Sequence, residues 1–270
     1  TPLYSSAASD VYKRQVQGLT EFLPISSSGH LEIFKVVFDS DFSTKESLLF
    51  TIVLHFATAL STMVFFRKEI SLIFEGLFNS KDKSSKEFSI SILISMIPAT
   101  LIGFFFEDTI NSFFDGNLIF VGIMLYITAI LLYLSDVITS KRNSVNYKNS
   151  FIIGLAQAIA IMPGISRSGA TIATAVVLGI EREKAARFSF LMVVPLIFGS
   201  MLKSIIDNGG LKFENFDLIT ISLGFISAFI TGLLACKWMI ALVKKSKLYY
   251  FSIYCLLVGS IIIFYTINGI

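Results

Sequence analysis

Cysteine and charged residues are scarce in this sequence, and each shortage argues against particular kinds of site or partner. The two cysteines, Cys236 and Cys255, lie in apolar segments without CxxC or Cys/His spacing, so nothing supports a disulfide framework or a zinc site. We expect both to be small residues of the core. Charged residues make up 15% of the chain and the net charge is only +3, which gives no reason to expect a nucleic-acid partner.

Hydrophobic residues, by contrast, are abundant. They make up 54% of the 270 residues, and the mean hydropathy is +0.76. A soluble surface needs more charge than this, so lipid is the expected solvent for most of the chain. Residues 1–15 are the exception. They are polar, no apolar core of signal-peptide length precedes Val16, and we expect them to be a non-native tail outside the fold.

Six apolar stretches are long enough to cross about 30 Å of hydrocarbon as helices. They are residues 48–66, 88–106, 118–136, 188–206, 218–236 and 250–267. Two more apolar stretches, 16–36 and 151–179, are interrupted by the sequences PISSSGH (24–30) and PGISRSG (163–169). Irregular backbone survives at membrane depth only when protein encloses it or when it lines a wet cavity. We therefore predict two re-entrant hairpins that face the interior of the bundle.

The distribution of lysine and arginine predicts which loops share a side of the membrane. Placing segments 67–87, 137–150, 180–187 and 237–249 in the cytoplasm puts 15 of the 22 basic residues there. The opposite loops carry few, as the positive-inside rule requires. Because three spans separate the two hairpins, the hairpins open to opposite sides and their tips are expected to meet near the midplane.

The chain also repeats itself at an offset of 140 residues. Five residues, Gln17, Ile25, Ser26, Ser28 and Gly29, recur as Gln157, Ile165, Ser166, Ser168 and Gly169. Each half, 16–136 and 151–270, contains one hairpin and three spans, and an odd number of spans gives the halves opposite orientations. The predicted fold is all-α: a polytopic membrane helix bundle with an inverted-topology repeat, two re-entrant hairpins and six full spans.

The first hairpin carries a dense cluster of polar residues for its depth in lipid. Gln17 and Glu21 stand four residues apart, on one face of a helical turn, and the polar residues that follow are Ser26, Ser27, Ser28 and His30. An ionisable group inside a membrane is expensive, so Glu21, His30 and Arg167 are functional candidates. The alternative is that Glu21 and Arg167 only pair with each other to close the bundle.

Arg167 lies between two serines where a helix is predicted to start, at about Ser168. Free N–H groups at a helix start, hydroxyls and a guanidinium together suit a phosphate, and the charge would stabilise a phosphoryl-transfer transition state. The alternative is a structural or snorkelling arginine. Hydrolysis also needs a nucleophile and a proton acceptor, and Ser27 with His30 or Glu21 supplies both if the hairpin brings them within reach. For Ser26 and Ser28, packing or helix capping is as good an explanation as substrate contact.

These residues form two motifs, QGLTEFLPISSSGH (17–30) and PGISRSGAT (163–171). They closely resemble the two signature motifs of the undecaprenyl-diphosphate phosphatase family, the bacitracin-resistance type, and the resemblance runs from Val16 to the C-terminus. It implies an integral enzyme of the bacterial plasma membrane that removes the terminal phosphate of undecaprenyl diphosphate and regenerates the carrier lipid of wall synthesis. With the predicted topology, the active site opens to the extracytoplasmic side.

The resemblance also implies roles for individual residues. The matching positions make Glu21, Ser27, His30 and Arg167 catalytic or phosphate-binding, and the substrate-binding set that we expect around them is Gln17, Ser26, Ser28, Ser166, Ser168 and Thr171. A divalent cation, Mg²⁺ or Ca²⁺, is expected to help, bridged by the diphosphate beside Glu21. Since position 17 is glutamine, only one carboxylate remains there, and few direct protein ligands are expected. The expected partners are a polyprenyl diphosphate and the bilayer, with a homo-oligomer left open.

Two other functions fit part of the pattern. Phosphatases of the phosphatidic-acid type also have Ser-Gly-His and Ser-Arg pairs, but they need a second histidine after Ser-Arg, and this chain has none after His55. Inverted repeats with broken helices are also a transporter architecture, so the chain could carry an anionic lipid without hydrolysing it. Release of phosphate separates these functions.

Overall fold

The computed structural model describes residues 23–37, 44–78, 83–114, 116–138, 143–207, 218–245 and 247–268. Within these ranges the chain forms eleven α-helices and no strand beyond one isolated bridge between Asn143 and Ile180. The helices are α1 (Ser27–Val37), α2 (Thr44–Phe65), α3 (Arg67–Phe78), α4 (Lys83–Phe105), α5 (Glu107–Ser112), α6 (Leu118–Val137), α7 (Tyr147–Ile159), α8 (Arg167–Val177), α9 (Arg182–Asp207), α10 (Leu218–Lys244) and α11 (Tyr249–Asn268).

Five helices, α4, α6, α9, α10 and α11, are long and apolar enough to cross a membrane. They carry five of the six predicted spans. The sixth, 48–66, falls on α2, of which the part with described side chains contributes the apolar stretch Ile52–Phe65. Large apolar side chains on these helices point outward, and Phe104, Leu202 and Ile261 are each at least 60% exposed. Such a surface needs lipid around it, so the protein is a multi-pass helical membrane protein.

The interior of the bundle is built largely from small and hydroxyl side chains. Ser61, Ser95 and Ser135 are fully buried, and each hydroxyl donates to a backbone carbonyl of its own helix. Small residues let helices approach closely where lipid provides no hydrophobic drive for association. Cys236 and Cys255 are buried in this interior as free thiols, as the sequence predicts.

Helices α6 and α11 cross closely at a pair of glycines. A Cβ atom on Gly259 would lie 3.0 Å from the carbonyl oxygen of Gly122, and one on Gly122 would lie 3.2 Å from the carbonyl oxygen of Gly259. Above this crossing, the Tyr126 and Ser260 hydroxyls are 2.9 Å apart. The two helices therefore pack backbone against backbone, and both also contact the broken segments described below.

Charged residues gather at one end of the bundle and join the segments that were predicted to share a side. Arg187 binds Glu69 at 2.6 Å and Glu183 at 2.8 Å, and Lys244 binds Glu183 at 2.7 Å. Arg182 donates to three carbonyl groups at the end of α6. These contacts confirm that segments around 69, 136, 183 and 244 lie together.

Other features of the loops differ from the prediction. Residues 67–78, assigned only to a cytoplasmic segment, form the helix α3, in which charged residues alternate with Ile70, Ile73 and Phe74. Such an amphipathic pattern lacks a long apolar run, so a search for membrane spans does not detect the helix.

At the other end of the bundle, Lys203 pairs with Glu107, which ties α9 to the short helix α5.

Candidate active site

Both interrupted segments end in the start of a helix, and serine caps each one. Ser26 precedes α1 and its hydroxyl accepts the Gly29 N–H at 3.2 Å, while Ser166 precedes α8 and accepts the Gly169 N–H at 3.1 Å. In each case a second serine hydroxyl two residues on lies 3.3–3.4 Å away. The serines and glycines that repeat in the sequence thus form the same capping hydrogen bonds twice, although the backbone has φ +64° at Ser26 and φ −77° at Ser166.

The tips of the two segments touch. The Gly164 N–H donates to the Ser26 hydroxyl at 3.1 Å, and the Ser168 hydroxyl lies 3.5 Å from the Leu23 carbonyl oxygen. A Cβ atom on Gly29 would lie 2.8 Å from the Gly164 Cα atom, so only glycine fits at this contact. The predicted meeting of the two tips is present in the structure.

Helices α6 and α11 hold the two tips in place. The Thr128 hydroxyl on α6 donates to the Gly164 carbonyl at 2.9 Å and accepts the Ser166 N–H at 3.0 Å. On α11, the Cys255 thiol lies 3.8 Å from the Pro24 carbonyl oxygen. Pro24 and Gly164 occupy equivalent positions in the repeat, so each half fixes the tip of the other.

The backbone at each tip is unusual. Gly164 has φ +98°, a conformation that glycine adopts without steric strain. Ser26 has φ +64°, which is sterically unfavourable for a residue with a side chain. Strain of this kind persists only where surrounding contacts enforce it, and it is common in functional sites. Here the enforcing contacts are the hydrogen bonds that the Ser26 hydroxyl accepts.

A cavity of about 200 Å³ opens between the tips. Its polar and apolar lining comes mostly from the two segments, and Leu196 of α9 completes it; the residues are Leu23, Ser26, Ser27, Ser28, Gln157, Ala160, Ile161, Ile165, Ser166, Arg167 and Leu196. The N-terminal ends of α1 and α8 both face it. Two helix starts and one guanidinium around one cavity make a strong site for an anion.

The His30 ring lies behind the first tip and is bonded at both nitrogens. Its Nδ1 atom is 2.8 Å from the Ser26 carbonyl oxygen, and its Nε2 atom is 2.9 Å from the Tyr254 hydroxyl, with the two rings stacked. A carbonyl only accepts, so Nδ1 donates. In the neutral ring Nε2 then accepts from Tyr254. His30 therefore supports the strained Ser26 carbonyl.

Comparison with known protein families gives a match over most of the chain. The family model described as bacitracin resistance protein BacA matches residues 15–261. The chain belongs to the BacA family.

Curated relatives cover nearly the whole chain. A protein of Christiangramia forsetii named undecaprenyl-diphosphatase is 56% identical over 244 residues, which are 90% of this chain and 92% of the relative. Relatives of the same name from Bacteroides fragilis and Parabacteroides distasonis are 49% and 48% identical, each over 92% of this chain and 94% of the relative. The family match over residues 15–261 includes both interrupted segments.

The structure brings together part of the site that the sequence predicts for this BacA-family chain. Ser26, Ser27, Ser28, Ser166 and Arg167 line the cavity. His30 lies beside it, bonded to Ser26 as described above. Gln17 and Glu21 lie outside the described residues.

Two predicted substrate-binding residues do not line the cavity. The Thr171 hydroxyl donates to the Arg167 carbonyl at 2.8 Å and is close to the Ser189 hydroxyl, so it ties α8 to α9. Ser168 contacts Ser166 and Leu23, between the two tips. His55, on α2, is also absent from the lining.

Two residues of interest were not assigned by sequence reasoning. Tyr254 is 224 residues from its partner His30, and no spacing rule connects them. Gln157 lines the cavity, and the only sequence signal for it is its match to Gln17 in the repeat.

A divalent cation at this site would need suitable oxygen ligands. Mg²⁺ and Ca²⁺ are held chiefly by carboxylate and carbonyl oxygens. The described lining supplies serine hydroxyls, one amide and no carboxylate, and among the described residues no group of three His, Cys, Asp or Glu could hold a metal. These residues alone do not fit a protein-built metal site.

Proposed function

We propose that this chain is a membrane hydrolase that removes the terminal phosphate of undecaprenyl diphosphate, giving undecaprenyl phosphate and inorganic phosphate. The observation that carries the proposal is the convergence of two helix N-termini and Arg167 on one cavity inside a membrane protein. Curated relatives that share about half of its residues are named for this reaction.

Phosphate binding follows from the charges around the cavity. The partial positive charges at the starts of α1 and α8 face the same space as Arg167, and the hydroxyls of Ser27 and Ser28 add donors. The terminal phosphoryl group gains negative charge on its oxygens in the transition state, and fixed donors stabilise that charge without reorganisation. Arg167 therefore contributes both to binding of the phosphate and to the rate of the chemical step.

In the chemical step, the Ser27 hydroxyl or a water beside it attacks the terminal phosphorus in line with the anhydride bond. The bond to the bridging oxygen breaks and undecaprenyl phosphate leaves with that electron pair. Attack by water gives inorganic phosphate directly, whereas attack by Ser27 gives a phosphoserine that a water then hydrolyses to free serine and inorganic phosphate. The attacking oxygen loses its proton to Glu21 or to His30, the two candidates from the motif. His30 needs to release the Tyr254 hydroxyl from Nε2 before it can accept a proton there.

The proposed setting is the bacterial plasma membrane, with the two halves, 16–136 and 151–270, as inverted repeats. The loops that carry most basic residues face the cytoplasm and the site opens to the extracytoplasmic side. The prenyl chain stays in lipid between helices. Association into a homo-oligomer is compatible with this arrangement and stays a prediction.

A divalent cation, Mg²⁺ or Ca²⁺, belongs to the proposal as a substrate-bridged ion. When bound it would screen the charge of the diphosphate. The diphosphate oxygens and Glu21 would hold it, since the described lining has no carboxylate of its own.

Phosphate release by purified protein tests the function. The parent chain should release phosphate from a polyprenyl diphosphate, and Arg167→Lys should lower kcat by about a hundredfold, because lysine cannot reproduce the guanidinium fork. The matched control is Arg187→Lys, an ion-paired arginine at the end of the bundle, which should keep the parent rate. A folded parent that binds the lipid without releasing phosphate would instead indicate a lipid carrier, and a normal rate in Arg167→Lys would refute the role of Arg167.

A further inference from the structure

Gln157 is a buried polar residue that none of the roles above explains. It lies in the last turn of α7, at the point where the second segment leaves its helix, and is only 1% exposed. Its side chain lines the same cavity as Arg167 and Ser27. A primary amide at this depth faces either protein or the contents of the cavity.

The amide has no protein partner among the described residues. Neither Nε2 nor Oε1 of Gln157 makes a hydrogen bond there. A buried amide that is left unpaired loses its bonds to water and gains nothing in return, which lowers stability. Other buried polar groups nearby are satisfied, among them the hydroxyls of Ser26, Ser166 and Thr128.

The surroundings of the amide indicate what it binds. The starts of α1 and α8 and the Arg167 guanidinium make the cavity positive, which favours an anion. Phosphoryl oxygens accept hydrogen bonds, and the Nε2 group of glutamine offers two donors. A neutral amide adds donors to the site without adding charge.

The internal repeat supplies an independent reason. Gln157 matches Gln17 at the offset of 140 residues that also pairs Ser26 with Ser166. The hydroxyls of those serines accept equivalent capping hydrogen bonds in the two halves. The repeat that brings Ser26 and Ser166 to one cavity also makes Gln157 the counterpart, in the second motif region, of Gln17 in the first motif.

We infer that Gln157 is a substrate-binding residue whose Nε2–H group donates a hydrogen bond to a phosphoryl oxygen of the polyprenyl diphosphate. The identity of the lipid rests on the proposed function. Its neutral side chain also sets a charge requirement: a carboxylate at this position would repel the diphosphate that Arg167 attracts.

Equilibrium binding tests the inference without depending on hydrolysis. A radiolabelled polyprenyl methylenebisphosphonate, which cannot be cleaved at the bridge, is bound to the parent, Gln157→Met and Gln157→Glu in detergent. Binding of the corresponding polyprenyl alcohol is measured in parallel, and thermal unfolding is recorded for each protein. Ser150→Ala is the control, because Ser150 is buried on the same helix but bonds only to the Asn146 carbonyl in the described part of α7 and does not line the cavity.

The inference requires that affinity for the bisphosphonate falls about tenfold in Gln157→Met and further in Gln157→Glu, while affinity for the alcohol is unchanged. Gln157→Met should not lower the Tm, since an apolar side chain of similar size replaces an unpaired amide. Ser150→Ala should bind both lipids like the parent.

Two results would overturn the inference. One is bisphosphonate binding in Gln157→Met within twofold of the parent. The other is an equal loss of affinity for bisphosphonate and alcohol, which indicates a structural role even if the variant folds poorly. A parent that binds the bisphosphonate but releases no phosphate refutes the proposed hydrolysis and leaves the binding role of Gln157 to be decided by the same comparison.

Discussion

His30 shows how one residue can be recognised from sequence while its contacts cannot. A histidine at lipid depth beside serines predicts a functional residue, but its partner Tyr254 lies on the last helix. The Nδ1 atom donates to the carbonyl of Ser26, the residue with φ +64°. The hydrogen-bond donors and acceptors of the ring therefore fix its tautomer and connect Tyr254 with the strained tip.

Replacing Tyr254 with phenylalanine isolates this connection. The ring that stacks on His30 at a centroid distance of 5.6 Å is retained, but Nε2 loses its donor, so we expect a loss of about 1 kcal/mol in stability. Phosphate release should fall severalfold, since the tip that carries Ser27 is held less firmly. His30→Ala should be more damaging, because it also removes the support of the Ser26 carbonyl.

Thermal unfolding in detergent and the rate of phosphate release measure the two effects. Tyr265→Phe makes the same change elsewhere on α11, away from His30, and serves as the control. A Tyr254→Phe protein with the stability and rate of the parent would mean that the bond to His30 has no influence on the site.

At the scale of the elements, the positions of the starts of α1 and α8 depend on the close contact between the tips of the two interrupted segments. Gly29 faces the Gly164 backbone, and a methyl group there would lie 2.8 Å from Cα and 2.9 Å from N of Gly164. Backbone atoms cannot rotate away as a side chain can. The tips would have to separate, which would disturb the hydrogen bond from Gly164 to Ser26 and open the cavity.

Gly29→Ala should therefore abolish most phosphate release and destabilise the protein by about 1–3 kcal/mol, the usual cost of overpacking. Gly103→Ala is the matched control. Gly103 is also helical and a Cβ atom there meets nothing within 4 Å, so the variant should be as stable as the parent or slightly more stable. Equal behaviour of the two variants in activity and unfolding would show that the tips do not need their close contact.

The same elements show what could be predicted from sequence. The two interruptions were predictable because proline, glycine and serine clusters cannot continue a helix in lipid, and α8 begins at Arg167, next to the predicted start. The helix α3 was not predicted, since its apolar residues are too scattered for a span. Gln157 and Tyr254 were not identified as site residues from the sequence, because only tertiary packing brings them close to the motifs.

For the whole molecule, the arrangement of charge is the property that links sequence, fold and orientation. The pairs Arg187–Glu69 and Lys244–Glu183 join helix ends that are distant in sequence but are predicted to share one side. Lys203 and Glu107 pair at the other end. In the proposed orientation the first group faces the cytoplasm and the second faces outward, where the substrate enters.

Single cysteines at the two ends test this orientation in intact cells. Asp108→Cys on α5 and Lys184→Cys on α9 are matched positions, because both native side chains are exposed at opposite ends of the bundle. Cys236 and Cys255 are buried and should not react. A membrane-impermeant maleimide should label Asp108→Cys in intact cells and label Lys184→Cys only after the membrane is opened. Labelling in the reverse order would place the basic end outside, and the site would then open to the cytoplasm, where the extracytoplasmic lipid substrate could not reach it directly.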